Sequence, residues 1–177
     1  TSFSGTFIGD GGSDAYGIYN LYINRPDESN VGLFAEIAGG NVRDLSIVDP
    51  VISGANQVGG LAGKLSKGAS ISDVVVRKTN ATDNLTGLDL TMIANQINVS
   101  GKTDVGGIAG YVTGGSTIND ESANQSRVTG ATNVGGLAGR MDNGTISNSR
   151  NEGTSLDGGT TISGGVIKAT DKNAGGL

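Results

Sequence analysis

Three observations predict that this 177-residue chain is all-β, a parallel β-solenoid (β-helix) of about five coils with three short strands per coil. An octet recurs almost unchanged along it. The apolar positions inside and around that octet alternate with period two, the period of a strand. The repeat unit is also too short to hold a crossover helix.

The octet stands at Val58-Gly-Gly-Leu-Ala-Gly-Lys-Leu65, Val105-Gly-Gly-Ile-Ala-Gly-Tyr-Val112 and Val134-Gly-Gly-Leu-Ala-Gly-Arg-Met141. Looser copies lie at Gly32–Ile37 and Phe3–Phe7, and Asn173-Ala-Gly-Gly-Leu177 opens another. Their leading apolar residues are Phe3, Leu33, Leu61, Ile108, Leu137 and Leu177, at gaps of 30, 28, 47, 29 and 40. The unit is thus about 28–30 residues, with insertions assigned to 79–95 and 152–165. Periods of this size mark repeat architectures, in which one unit cannot bury its apolar face alone and must stack on its neighbours.

Each octet is followed by a second apolar element. Val42-Arg-Asp-Leu45-Ser-Ile47 matches Ile71-Ser-Asp-Val74-Val-Val76 and Ile18-Tyr-Asn-Leu21-Tyr-Ile23, with weaker copies from Ile118 and Ile146. A third element precedes the next octet: Val51-Ile-Ser-Gly54, Ile97-Asn-Val-Ser-Gly101 and Arg127-Val-Thr-Gly130. Within the octet Leu61, Gly63 and Leu65 alternate with Ala62 and Lys64, so the first set is expected inward and the second outward. A helix with this glycine density would lose roughly 0.5–1 kcal/mol per interior Gly. Three strands in under 30 residues leave equivalent segments to pair with their counterparts one coil away, around a roughly triangular section. The whole chain reads as a single solenoid domain, residues 1–177, cut from a longer protein.

Composition removes much chemistry. Gly, Ser, Thr and Asn fill 81 positions, and the chain has no Cys, His or Trp. That leaves no Ser-His-Asp triad, no thiolate nucleophile, no imidazole or thiolate zinc site and no disulfide framework. A net charge of −5 with only 12 Lys plus Arg argues against a nucleic-acid partner. No apolar run is long enough to insert across a membrane as a helix. The two prolines and the absence of a Gly-X-Y period exclude collagen.

The candidate sites follow from the remaining residues. The Gly-rich octets lack the strand–loop–helix context of a phosphate cradle, so the glycines are assigned to close coil packing or turn dihedrals. Gly9-Asp10-Gly-Gly-Ser-Asp14 is a single imperfect likeness of a tandem calcium-binding repeat. Asp10 and Asp14 are accordingly read as an ordinary polar loop. Asn20, Asp44, Asp73, Asp120 and Asn148 form a turn column whose side chains tolerate left-handed dihedrals. Stacked carboxylates at about 4.8 Å would also suit a carboxylate-pair hydrolase, a reading that rests on spacing alone. Glu36, Lys64, Tyr111 and Arg140 make an outward column, with Phe34, Ala62, Ala109 and Ala138 expected beside them as a smooth outer wall or as a flat face against which another segment or chain packs. Insertion 79–95 is either the best place for individual recognition, loops on a repetitive scaffold being the usual carriers of it, or a complete extra coil without the motif, since the gap of 47 falls close to two units. Sequons such as Asn80-Ala-Thr82 and Asn143-Gly-Thr145 come with the abundance of Asn, Ser and Thr.

Gly60-Leu-Ala-Gly63, Gly107-Ile-Ala-Gly110 and Gly136-Leu-Ala-Gly139 resemble the GLUG motif, a Gly-Leu-any-Gly repeat, and the resemblance extends over the whole chain. It implies a segment of a large bacterial surface or secreted protein, either adhesin-like or the non-catalytic repeat region of an immunoglobulin A peptidase. The catalytic part of such peptidases carries a His-Glu-x-x-His helix, which a chain without His cannot supply. The expected function is therefore non-enzymatic: a rigid extracellular scaffold serving adhesion or presentation, with no cofactor, no metal and no catalytic residue. Its expected partners are a host or cell-surface protein or glycan, and neighbouring domains or copies of the same chain. A self-assembling filament subunit, a peptidase stalk and a carbohydrate-active solenoid are the alternatives.

Overall fold

The computed structural model describes residues 1–9, 17–78, 98–152, 155–156, 160–161 and 167–175. The stretches 10–16 and 79–95, and most of 153–165, lie outside them, as do the polar loop at Asp10–Asp14 and the first insertion named above. Among the described residues there is no helix.

The strands succeed one another in sets. Strands β1 (Thr6–Ile8) and β2 (Gly17–Tyr19) come first, followed by β3 (Tyr22–Asn24), β4 (Phe34–Ala38) and β5 (Asn41–Val48). The next set is β6 (Val51–Ser53), β7 (Asn56–Gly59), β8 (Ala62–Ser66) and β9 (Ser70–Arg77). It is repeated by β10 (Asn98–Ser100), β11 (Thr103–Gly106), β12 (Ala109–Asn119) and β13 (Ala123–Asn124), then by β14 (Arg127–Gly135), β15 (Ala138–Ile146) and β16 (Arg150–Asn151). A short antiparallel pair, β17 (Ser155–Leu156) and β18 (Thr160–Thr161), precedes β19 (Ile167–Gly175).

Apart from that pair, every described pairing is parallel and joins equivalent segments of successive sets. Tyr22 lies against Val51, Val51 against Asn98, and Asn98 against Arg127. Val58, Val105 and Val134 are in one register, and so are Ala62, Ala109 and Ala138. The steps are 29 or 47 residues in all these cases, matching the octet gaps to within a residue. Parallel stacking in constant register is the arrangement a β-solenoid requires.

Two features differ from the sequence expectation. The second and third sets each contain four strands rather than three, because the octet straddles a corner. Val58 and Gly59 end one strand, Gly60 and Leu61 turn, and Ala62 begins the next. The strands also form two sheets rather than three walls. Strand β12 runs unbroken through positions where the previous set has a turn, pairing with β8 at one end and β9 at the other. Strand β14 does the same for β10 and β11. Gly114 and Gly115, at φ +63 and +75, let β12 curve at that point without ending.

The buried apolar residues fall into two stacks. The larger includes Ile37, Val42, Leu65, Ile71, Ile108, Ile118 and Leu137, and the smaller Val31, Ile52, Val58, Val99, Val105, Val128 and Val134. The last glycine of each octet sits where they meet. A Cβ on Gly63, Gly110 or Gly139 would lie under 3.0 Å from the backbone of Asn30–Val31, Gln57–Val58 or Asp104–Val105, one set earlier in each case. None of the three has positive φ. The motif needs glycine there for space, not for torsional freedom.

The corner also explains a misplaced face. Ala62, Ala109 and Ala138, expected on an outer wall, are at most 6% exposed and belong to the larger stack, and Phe34 packs against it. The bend at Gly60–Leu61 resets the alternation, so Leu61 and Ala62 both turn inward. The outer wall is left to Glu36, Lys64, Tyr111 and Arg140.

Candidate functional site

Two columns of left-handed residues run along the structure. In the first, Asp44, Asp73, Asp120 and Asn148 have φ of 55, 49, 48 and 45. Their neighbours pair in register: Arg43 with Ser72, Ser72 with Asn119, and Ile118 with Ile146. Asn and Asp suit this conformation because their short polar side chains satisfy nearby backbone. Asn20 does not belong here. Ile18 pairs with Ile47, not Val42, which sets Asn20 beside Asp49. Gly9 takes the place instead, its amide donating to the Arg43 carbonyl at 3.0 Å.

This column lines a shallow acidic groove with Arg43, Ser72 and Glu121. Burial raises the pKa of Asp73 first, and the charges of Asp44, Glu121 and Asp120 add to it, while Arg150 opposes them. Arg43 is paired with Asp44, and Arg150 with Glu121 and Glu152. No group of three or more acidic side chains among the described residues is placed to hold a metal ion. Chemically the groove is a row of carboxylates partly neutralised by flanking guanidinium groups.

The sign of the Asp73 shift gives a test. A folded-state pKa above the unfolded one means that ionisation works against folding, and that the penalty disappears as pH falls below both values. Asp73→Asn keeps the left-handed turn and removes the charge. The variant is expected to be more stable than the parent near pH 7 and equal to it at about pH 3, as read from urea midpoints. A variant less stable at neutral pH would contradict this account of the groove.

The second column is Asn30, Gln57, Asp104, Asn133 and Asn173, with φ between 53 and 57 throughout. Each stands immediately before a valine or alanine of the octet. The Asn133 amide donates to Asp104 Oδ1 at 2.8 Å, and the Asn173 amide to Asn133 Oδ1 at 2.8 Å. Sequence reasoning passed over this column, although an amide or carboxyl residue precedes all five copies. Its backbone is what the last octet glycine touches.

The outward column is cross-linked between sets. Lys64 Nζ is 3.3 Å from Glu36 Oε1, which also accepts from Ser66 Oγ at 2.7 Å. The serine bond, followed by Lys64, holds Glu36 below the usual carboxylate range. Tyr111 Oη donates to Asp142 Oδ2 at 2.9 Å, and Arg140 lies over the Tyr111 ring at 5.2 Å. These are solvated surface contacts, worth little individually.

Comparison with known proteins bears on this architecture. A family model described as the GLUG motif matches residues 130–155, so the chain carries that motif across β14, β15 and β16. Halomucin of Haloquadratum walsbyi is 40% identical over 88 residues, 49% of this chain. The chain spans about 1% of the length of that relative. No solved structure matches.

Proposed function

We propose that this GLUG-motif chain is a non-enzymatic β-solenoid segment of a cell-surface or secreted protein, a rigid scaffold of about five coils that presents binding loops. The observation that carries the reading is the constant register of Val58, Val105 and Val134. A chain stacked in this way converts sequence length into distance. Each coil adds about 4.8 Å along the stack, the hydrogen bonds run along that axis, and the two apolar stacks extend beside them. Similarity to a stretch of halomucin supports a surface or extracellular setting.

In this reading the loops between strands make the contacts, with a host or cell-surface protein or a glycan as partner. The scaffold itself needs no reactive group. Duplicating one unit, residues 98–126, is expected to lengthen the particle by about 4.8 Å without broadening it, as measured by small-angle scattering. Deleting 79–95 is expected to abolish adherence of the labelled chain to cells while the far-ultraviolet β signal persists. A duplicated variant that widens instead would overturn the scaffold. Turnover of a glycan or peptide by the purified chain would overturn its non-enzymatic character.

A further inference from the structure

The chain contains five Asn-x-Ser/Thr sequons, at Asn80, Asn84, Asn98, Asn124 and Asn143. The first two lie outside the described residues. The structure separates the other three sharply. Asn98 is in β10, hydrogen-bonded on one side to β6 and on the other to β14. Asn124 is fully buried, and its Nδ2 donates to Asn151 Oδ1 at 2.9 Å and to the Ser126 carbonyl at 3.2 Å, which occupies both of its hydrogens.

Asn143 differs although it too lies in a strand, β15, which pairs with β12. It is exposed, and its side chain makes no hydrogen bond. It lies where the register between β12 and β15 shifts: Thr113 pairs with Asp142 and Ser116 with Gly144. Asn143 therefore lies opposite Gly114–Gly115, the left-handed pair at which β12 curves. A Cβ built on Gly115 would find nothing within 4 Å, so the neighbouring strand leaves the approach open there. Thr145, the hydroxyl of the sequon, is exposed as well. A sequon at an exposed strand irregularity of an exported protein, where the ladder is already broken, is what an N-glycosylating enzyme can engage without unfolding its substrate.

We propose that Asn143 is an N-glycosylation site, used by the folded chain. The proposal rests on the extracellular reading for its biological setting, while its chemistry is independent of it. The co-substrate is an oligosaccharide linked through pyrophosphate to a lipid. A bond forms between Asn143 Nδ2 and the sugar C1, and the bond from C1 to the pyrophosphate oxygen breaks. The lipid pyrophosphate leaves, and one amide proton passes to a base of the transferase.

The test uses the purified, folded chain, an oligosaccharyltransferase and its lipid-linked donor, so it does not depend on export. Tryptic peptide 141–150 is expected to carry the glycan mass. That signal should vanish in Asn143→Gln and Thr145→Ala and persist in Thr145→Ser, with Asn98 and Asn124 unmodified. An unmodified 141–150 peptide, or one modified only after denaturation in urea, would overturn the assignment. Protease accessibility on intact cells addresses the export reading separately.

Discussion

Gly110→Ala is expected to destabilise the fold by about 3 kcal/mol or more, the upper end of what overpacking usually costs. Gly110 lies in β12 with ordinary φ, so the added methyl meets no torsional penalty. It meets the Gln57 carbonyl carbon and the Val58 nitrogen, both under 3.0 Å away. A flexible side chain could swing aside from such a clash, but these are backbone atoms. Val58 is fixed in the sheet by its pairing with Val105 and Val31. Relief would require prising apart the waist between the two core stacks. Gly5→Ala is the matched control, since its Cβ would meet only the Phe3 ring, at 3.4 Å, an ordinary contact. Urea unfolding of the two variants should give a midpoint far below the parent's for the first and near it for the second. Comparable midpoints would show that the motif glycine is retained for some reason other than space.

That steric role accounts for why the octets were the most legible part of the sequence. Their spacing forecasts the register of Val58, Val105 and Val134, because equivalent positions in stacked strands face the same surroundings and so keep the same residue. The first unit was less legible. Ile18-Tyr-Asn-Leu21 fits the pattern at Val42-Arg-Asp-Leu45 by apolar spacing alone, yet the structure pairs Ile18 with Ile47. The 29-residue step that also joins Tyr22 to Val51 outweighs the local resemblance. The buried faces of Ala62, Ala109 and Ala138 were hidden for another reason. Period-two alternation holds within a strand, and the corner at Gly60–Leu61 begins a new one. Of the polar columns, Asp44, Asp73, Asp120 and Asn148 were readable because all are Asn or Asp. The column of Gln57, Asp104 and Asn133 mixes chemistries. Its common property is a left-handed backbone, which the amide or carboxyl residue before each octet signals only weakly.

The second large effect concerns where along the stack apolar carbons are removed. Ile71 stands in line with Val42 on one side and Ile118 on the other, in a column whose last member among the described residues is Ile146. It is wholly buried. Ile71→Ala deletes three carbons from a position whose neighbours are held apart by hydrogen-bonded strands on both sides, so the cavity cannot collapse. A cost of about 2–5 kcal/mol is expected, the range for such truncations in packed cores. Ile146 has the same chemistry and only Ile118 in register with it among the described residues, and it is only partly buried. Ile146→Ala should cost clearly less than Ile71→Ala, since part of its surface is already in contact with water. The difference isolates the contribution of stacking, because residue type and column are shared. In a structure where each set touches only its neighbours, a lesion in the middle weakens two interfaces and a lesion near the end weakens one. Chemical denaturation of both variants, with hydrogen exchange to locate the opening, would distinguish these cases. Equal losses at the two positions would mean that the column is not a continuous stack, and the link between coil number and rigidity would fail with it.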